Sequence, residues 1–196
     1  MNHLLYTFDH DLFLWLNFDG GAVTDAIMKA ISTPYTWSWL YIVIIYILWQ
    51  RYGWRRLLIF IVMVAVAVAL ADMIAGIFKH SGLLKNLWPS FPARLRPMHT
   101  PELQEVIHKT VGGGRYGTVS AHAGTMVALA IVSIYAMARQ WFSYVMVIAV
   151  LLICYSRIYL ACHFPFDILL GTLVGAVSGI IGLFGYKALC LRFDKR

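Results

Sequence analysis

The run "CYSRIYLACHFPFDILLG", Cys154 to Gly171, is apolar enough for a membrane or a core, yet it holds Ser156, Arg157, His163 and Asp167 within twelve residues. These side chains suit work on a phosphate. Arginine offers a planar fork that matches phosphate oxygens. Histidine can attack or shuttle a proton at neutral pH. His163 and Asp167 are four apart with Pro165 between them. Proline is welcome in a first helical turn, so a helix starting near Phe164 places Asp167 within reach of His163. A carboxylate on one ring nitrogen fixes the tautomer and leaves the other nitrogen free to attack. A second imidazole, His122, follows Ser120, which stands before an apolar helix as a good N-cap. The N-terminus of such a helix is an anion site in its own right. Lys79 and Arg96 add fixed cations.

The elements that position these residues are membrane spans. The chain has 196 residues, is 61% hydrophobic and only 13% charged, with mean hydropathy +0.73. That exceeds the apolar share of soluble domains. Five segments reach the roughly 20 apolar residues that a span needs: Thr36 to Trp49 with its upstream extension, Leu57 to Phe78, Val119 to Ala138, Phe142 to Cys162, and Ile168 to Tyr186. Leu4, Leu5, Phe8, Leu12, Phe13, Trp15 and Leu16 recur at helix-like spacing, which predicts an amphipathic helix in the interface; a sixth, tilted span is the alternative. The fold expected is an all-α integral membrane bundle of five or six transmembrane helices with an interfacial N-terminal helix, residues 1–196 forming a single domain. No basic region precedes an apolar core as in a cleaved signal peptide. Cys154, Cys162 and Cys190 lack metal-type spacing and read as packing residues. In a bilayer the net charge of +7 fits anionic headgroups, with no nucleic-acid partner implied.

Alternation of the spans puts Lys79, Arg96, Ser120, His122, Arg157, His163 and Asp167 on one membrane face, and the Gln50–Arg56 loop on the other. That short loop is dense in arginine, and short basic loops weigh most in the positive-inside rule. The loop is therefore expected in the cytoplasm and the polar face outside. Three cations, a helix N-terminus and two imidazoles describe a phosphate site with acid–base capacity.

The pattern resembles the type 2 phosphatidic acid phosphatase family, whose pocket is similar to that of vanadium haloperoxidases. The family's third motif is Ser-Arg, five residues, His, three residues, Asp; "SRIYLACHFPFD" matches each fixed position at Ser156, Arg157, His163 and Asp167. The second motif, Pro-Ser-Gly-His, reads "VSAH" at Val119 to His122. The first, Lys, six residues, Arg-Pro, supplies Arg96-Pro97, while its lysine has two candidates, Lys79 and Lys85. Lys79 is favoured because it emerges from a span, with an insertion of about ten residues before Arg96. The resemblance implies that Lys79, Arg96, Ser120 and Arg157 hold the phosphoryl oxygens and that His163 is the nucleophile. It implies that Asp167 supports His163 and that His122 protonates the leaving oxygen, with no metal and no cofactor.

The expected activity is removal of phosphate from a membrane lipid: polyprenyl diphosphate, phosphatidic acid or phosphatidylglycerophosphate, or lipid A phosphate. Transfer to another lipid and lipid or anion transport are the competing readings; oligomeric state is left open. Blander readings hold for isolated residues. A lysine at a helix end usually snorkels, and His80, His99 and His108 suit loops. "GGGRYG", Gly112 to Gly117, lacks the Lys-Ser/Thr of a nucleotide loop and reads as a flexible approach to Ser120, with Arg115 at the rim. Asp72 suits orientation of a cation or packing of polar neighbours rather than catalysis.

Overall fold

The structure is a computed structural model that describes residues 3–79, 86–89 and 94–194. Lys85 lies outside the described residues. The helices run α1 His3–Leu16, α2 Gly21–Ser32, α3 Ser38–Phe78, α4 Ala121–Met137, α5 Gln140–Tyr159 and α6 Pro165–Asp194, with short 3-10 turns at Pro34–Trp37, Pro97–His99 and Pro101–Leu103.

α3 is two rods. Gly53 takes φ 74°, ψ 176° and interrupts the helix. Positive φ costs glycine nothing. Its two arms, 38–52 and 54–78, lie side by side, since Tyr41, Ile44 and Ile45 of the first share a groove with Phe60, Ile61 and Val64 of the second. The five rods expected from composition are therefore these arms with α4, α5 and α6. α3, α5 and α6 are long and apolar enough to cross a membrane, and α4 is a shorter apolar helix. The polarity is that of a membrane protein: Ile42, Val62, Leu151, Val177 and Phe184 face outward, while Ala67, Ala71, Ala75 and Ala128 are buried. Lipid supplies no hydrophobic drive between helices, so small residues line their contacts.

The N-terminal segment departs from a single interfacial helix. It forms two, α1 of 14 residues and α2 of 12, about 21 and 18 Å long. Neither reaches the roughly 30 Å of a bilayer core, so the sixth span is not formed. Leu4, Phe8 and Trp15 are exposed, while Asp9 and Phe13 are buried, and Phe13 meets Phe164 edge-on at 5.2 Å. α1 is thus an amphipathic cap on the start of α6.

The tightest crossing is between α4 and α6. Gly171, Gly175 and Gly179 recur every fourth residue and face Ser120, Gly124 and Ala128 of α4, a tandem small-xxx-small contact. A Cβ on Gly175 would stand 2.3 Å from the Gly124 carbonyl oxygen, a backbone atom that cannot swing away. Gly175→Ala is expected to lower stability by about 1–3 kcal/mol, read as a lower melting midpoint in detergent. Gly76→Ala, where an added Cβ meets nothing within 4 Å, is expected to leave the midpoint unchanged or slightly raised.

Candidate active site

α5 stops at Tyr159, three residues short of the expected span end at Cys162. The cause is Ala161, whose φ of 54° takes the chain out of the helix. The amides of Cys162 and His163 then fold back and donate to the Arg157 carbonyl at 2.9 and 3.2 Å. This turn carries His163 across the gap to α6, where it is 1% exposed. α6 opens at Pro165 as expected. Asp167, in its first turn, accepts the Phe164 amide through Oδ2 at 3.0 Å, capping the helix start.

His163 Nδ1–H donates to the Gly117 carbonyl at 3.0 Å, and Asp167 Oδ2 lies 3.5 Å from the same nitrogen. The nearest orienting group is therefore a backbone carbonyl, with the carboxylate close behind, and Nε2 is left as the nitrogen with a free lone pair. Burial holds the imidazole below its ordinary value; Asp167 opposes this, while Arg96 and Arg157 reinforce it.

The Gly112–Gly117 segment is more than a flexible approach. Its end pairs with the Arg94–Arg96 strand-like stretch: the Arg96 amide donates to Arg115 O, the Gly117 amide to Arg94 O, each at 3.0 Å, and Arg96 Nε–H to Tyr116 O at 3.0 Å. A Cβ at Gly117 would come within 2.6 Å of Arg96 Cγ and 3.3 Å of His163 Nδ1. Only glycine lets the arginine and the imidazole meet over that backbone. Arg115 itself is exposed and stacks on Tyr116.

Ser120 is the N-cap of α4, its Oγ accepting the Ala123 amide at 3.4 Å, and its own amide donates to the Asp167 carbonyl at 3.0 Å. This bond ties the second motif to the third. His122, two residues later in the first turn, lies within electrostatic reach of Arg157, His163, Lys79 and Arg96. Lys79 caps the end of α3. Burial and the neighbouring Arg96 pull its ammonium below the ordinary value, and Asp72 on the same rod opposes them. Arg157 donates to Ser32 Oγ of α2, while its Nε–H is buried without a hydrogen-bond partner among the described residues. It borders a cleft of about 230 Å³ shared with Lys29 and Cys162. An orphaned buried donor beside a cleft is what an anion would satisfy.

Two participants escaped the sequence reading. Arg94 donates to Asp167 Oδ1 at 3.2 Å and pairs with Asp9 of α1. It also lies 4.1 Å above the Phe164 ring. Asp9 Oδ1 accepts the Phe166 amide at 3.0 Å. Asp9, Arg94 and Asp167 thus form a buried chain of alternating charge directly behind His163. A signal existed: Asp9 shares a helical face with Phe13 and Leu16 at i, i+4 and i+7, so an acid there is turned inward. His108 also has partners, Asp25 of α2 at 2.7 Å and Asp19 of the α1–α2 turn at 3.7 Å, tying the loop to both.

The profile of the PAP2 superfamily matches residues 60–188. Lipid A 4'-phosphatase of Porphyromonas gingivalis is 29% identical over 181 residues, covering 91% of this chain and 72% of that protein. Lipid A 4'-phosphatase of Bacteroides thetaiotaomicron is 29% identical over 194 residues, covering 99% of this chain and 84% of that protein. The crystal structure of Aquifex aeolicus LpxE superposes with a TM-score of 0.63 at 20% identity, over 88% of this chain and 93% of that one, a likeness of fold. The profile match takes in more than half of the chain and every residue from Lys79 to Asp167 gathered at the site, and the chain belongs to the PAP2 superfamily.

Proposed function

We propose that this protein hydrolyses a phosphate ester of lipid A, or of a lipid with a similarly presented phosphate, through a phosphohistidine on His163. The family match supports a phosphatase, and both relatives are lipid A phosphatases; the choice of a lipid phosphate, and of lipid A, rests on those relatives. The observation that carries the mechanism is His163: its Nδ1–H engaged by Gly117 O, Asp167 behind, and Arg96 and Arg157 within electrostatic reach.

Lys79, Arg96 and Arg157 draw in the phosphoryl oxygens and neutralise charge that builds on them in the transition state. Ser120 and the amides opening α4 add donors. His163 Nε2 attacks phosphorus in line, forming the N–P bond as the P–O ester bond breaks. His122 gives its proton to the departing oxygen. Asp167 and the Gly117 carbonyl stabilise the charge placed on the His163 ring. Water, deprotonated by His122, then attacks phosphorus; the N–P bond breaks and inorganic phosphate leaves. The site faces the periplasmic or extracellular side, with the arginine-dense Gln50–Arg56 loop in the cytoplasm.

Phosphate release by purified protein, measured over lipid A, phosphatidic acid and polyprenyl diphosphate with and without chelator, tests this directly. His163→Ala is expected to lose at least about 10⁴-fold in rate and His122→Ala roughly 10²–10⁴-fold, with activity retained in chelator. Turnover by His163→Ala near the wild-type rate would sink the phosphohistidine. Because His163 sits below its ordinary value of 6.5, the acidic limb of kcat/KM is expected below that pH. Asp167→Asn removes the charge that favours the imidazolium, so that limb moves lower still while kcat falls roughly 10²-fold or more. A pH–rate series reads both.

Arg94 offers a stability test. Arg94→Gln leaves Asp9 buried without its counter-charge, and breaking a buried pair costs about 3–5 kcal/mol. The double variant Asp9→Asn/Arg94→Gln is expected to be less destabilised than Arg94→Gln alone, a coupling that melting midpoints across the cycle will show.

A further inference from the structure

A cavity of about 820 Å³ opens at the end of the bundle remote from His163. Arg56, near the start of the second α3 arm, lines it, whereas Lys79 ends that arm; the 23 intervening steps put the two about 35 Å apart. This cavity is therefore separate from the catalytic phosphate site, on the other membrane face.

Its walls combine three cations, Arg56, Arg139 and Lys187, with the hydroxyls of Tyr52, Tyr186 and Ser143, and no carboxylate is among the lining residues. Lys187 Nζ sits 4.4 Å over the Tyr135 ring, and the Arg56 guanidinium 5.4 Å over Tyr52. The rings hold two of the cations at the wall, so their side-chain freedom is already reduced before anything binds. Arg139 and Lys187 form no ion pair among the described residues. Like charges gathered in one cavity repel one another by an amount that an anion between them would reverse. Apolar wall from Ile134, Ala136 and Leu191 completes the lining, and Trp141, half-exposed beside it, marks the bilayer interface. A soluble anion has no use for that apolar wall; the glycerol and upper acyl carbons of a lipid do.

We propose that this cavity binds the phosphodiester head group of an anionic phospholipid, with Arg139, Lys187 and Arg56 on the phosphate and the apolar wall against the glycerol. Charge on this face supports the choice. Among the described residues, Arg51, Arg55, Arg56, Arg139, Lys187 and Arg192 gather here against the single carboxylate Asp194 at the end of α6, while Asp9, Asp19, Asp25, Glu102, Glu105 and Asp167 belong to the face of the catalytic site. Basic pockets between spans on one leaflet are suited to acidic lipid head groups.

The probe is phosphatidylglycerol, whose diester lacks the terminal phosphate that the hydrolytic centre would remove. It is titrated into the purified full chain in detergent, with bound lipid read by native mass spectrometry and the melting midpoint read in parallel. Wild type is expected to take up one lipid saturably, with a rising midpoint, and to show no such response to phosphatidylcholine. Arg139→Gln and Lys187→Gln are each expected to weaken binding about fivefold, with lipid-free midpoints unchanged. Arg55→Gln, on the same face but outside the cavity lining, is expected to bind as wild type. Unchanged affinity in both cavity variants, equal response to phosphatidylcholine, or saturation by inorganic phosphate with no response to the lipid would each overturn the proposal.

Discussion

The backbone contact between α4 and α6 is the constraint on which the site depends. Glycines at 171, 175 and 179 let α6 lie against Ser120, Gly124 and Ala128 with no side chain between them. That closeness allows the Ser120 amide to reach the Asp167 carbonyl, which locks the start of one helix to the start of the other. His122 rides on the first and Asp167 on the second, so the imidazole proposed for acid–base work and the carboxylate behind His163 are fixed by one crossing. In lipid, where apolar burial gives helices no reason to associate, such small-residue packing and interhelical hydrogen bonds must do that work.

A second constraint is charge. A phosphate site needs cations, and cations at the edge of a bilayer are costly unless solvated or paired. The chain handles its groups in two ways. Arg94 is paired with both Asp9 and Asp167, which makes it a fixed part of the frame behind His163. Lys79, Arg96 and Arg157 are kept together without equivalent carboxylates, so their mutual repulsion persists until an anion arrives. Burial of Lys79 and its proximity to Arg96 both disfavour its charged form; the negative charge of a bound phosphate would counter both. The α1 cap enters this economy through Asp9, linking the amphipathic helix at the membrane surface to the residues behind His163.

Much of this was legible without coordinates. Long apolar runs fix the number of rods because only about 20 such residues cross the hydrocarbon, and alternation then fixes which polar residues share a face. The spacing of Ser156, Arg157, His163 and Asp167 is local chemistry: a helix end, a turn and a helix start. Proline at 165 marks the second helix. Even the hinge at Gly53 lies in the loop that separates two apolar runs.

What tertiary structure decided is everything that depends on groups far apart in sequence. Gly117 meets His163 across 46 residues, and Asp9 reaches Arg94 across 85; neither separation has a periodicity to read. The apolar pattern shows that a residue faces lipid or protein, but not which neighbour it faces. So the sequence by itself determined the spans, their sidedness relative to one another and which polar side chains share a face. The folded chain decided that a backbone carbonyl, rather than the carboxylate, is the closest partner of His163 Nδ1. It also decided that Arg94 neutralises the buried acids, because partner choice is set by packing in three dimensions.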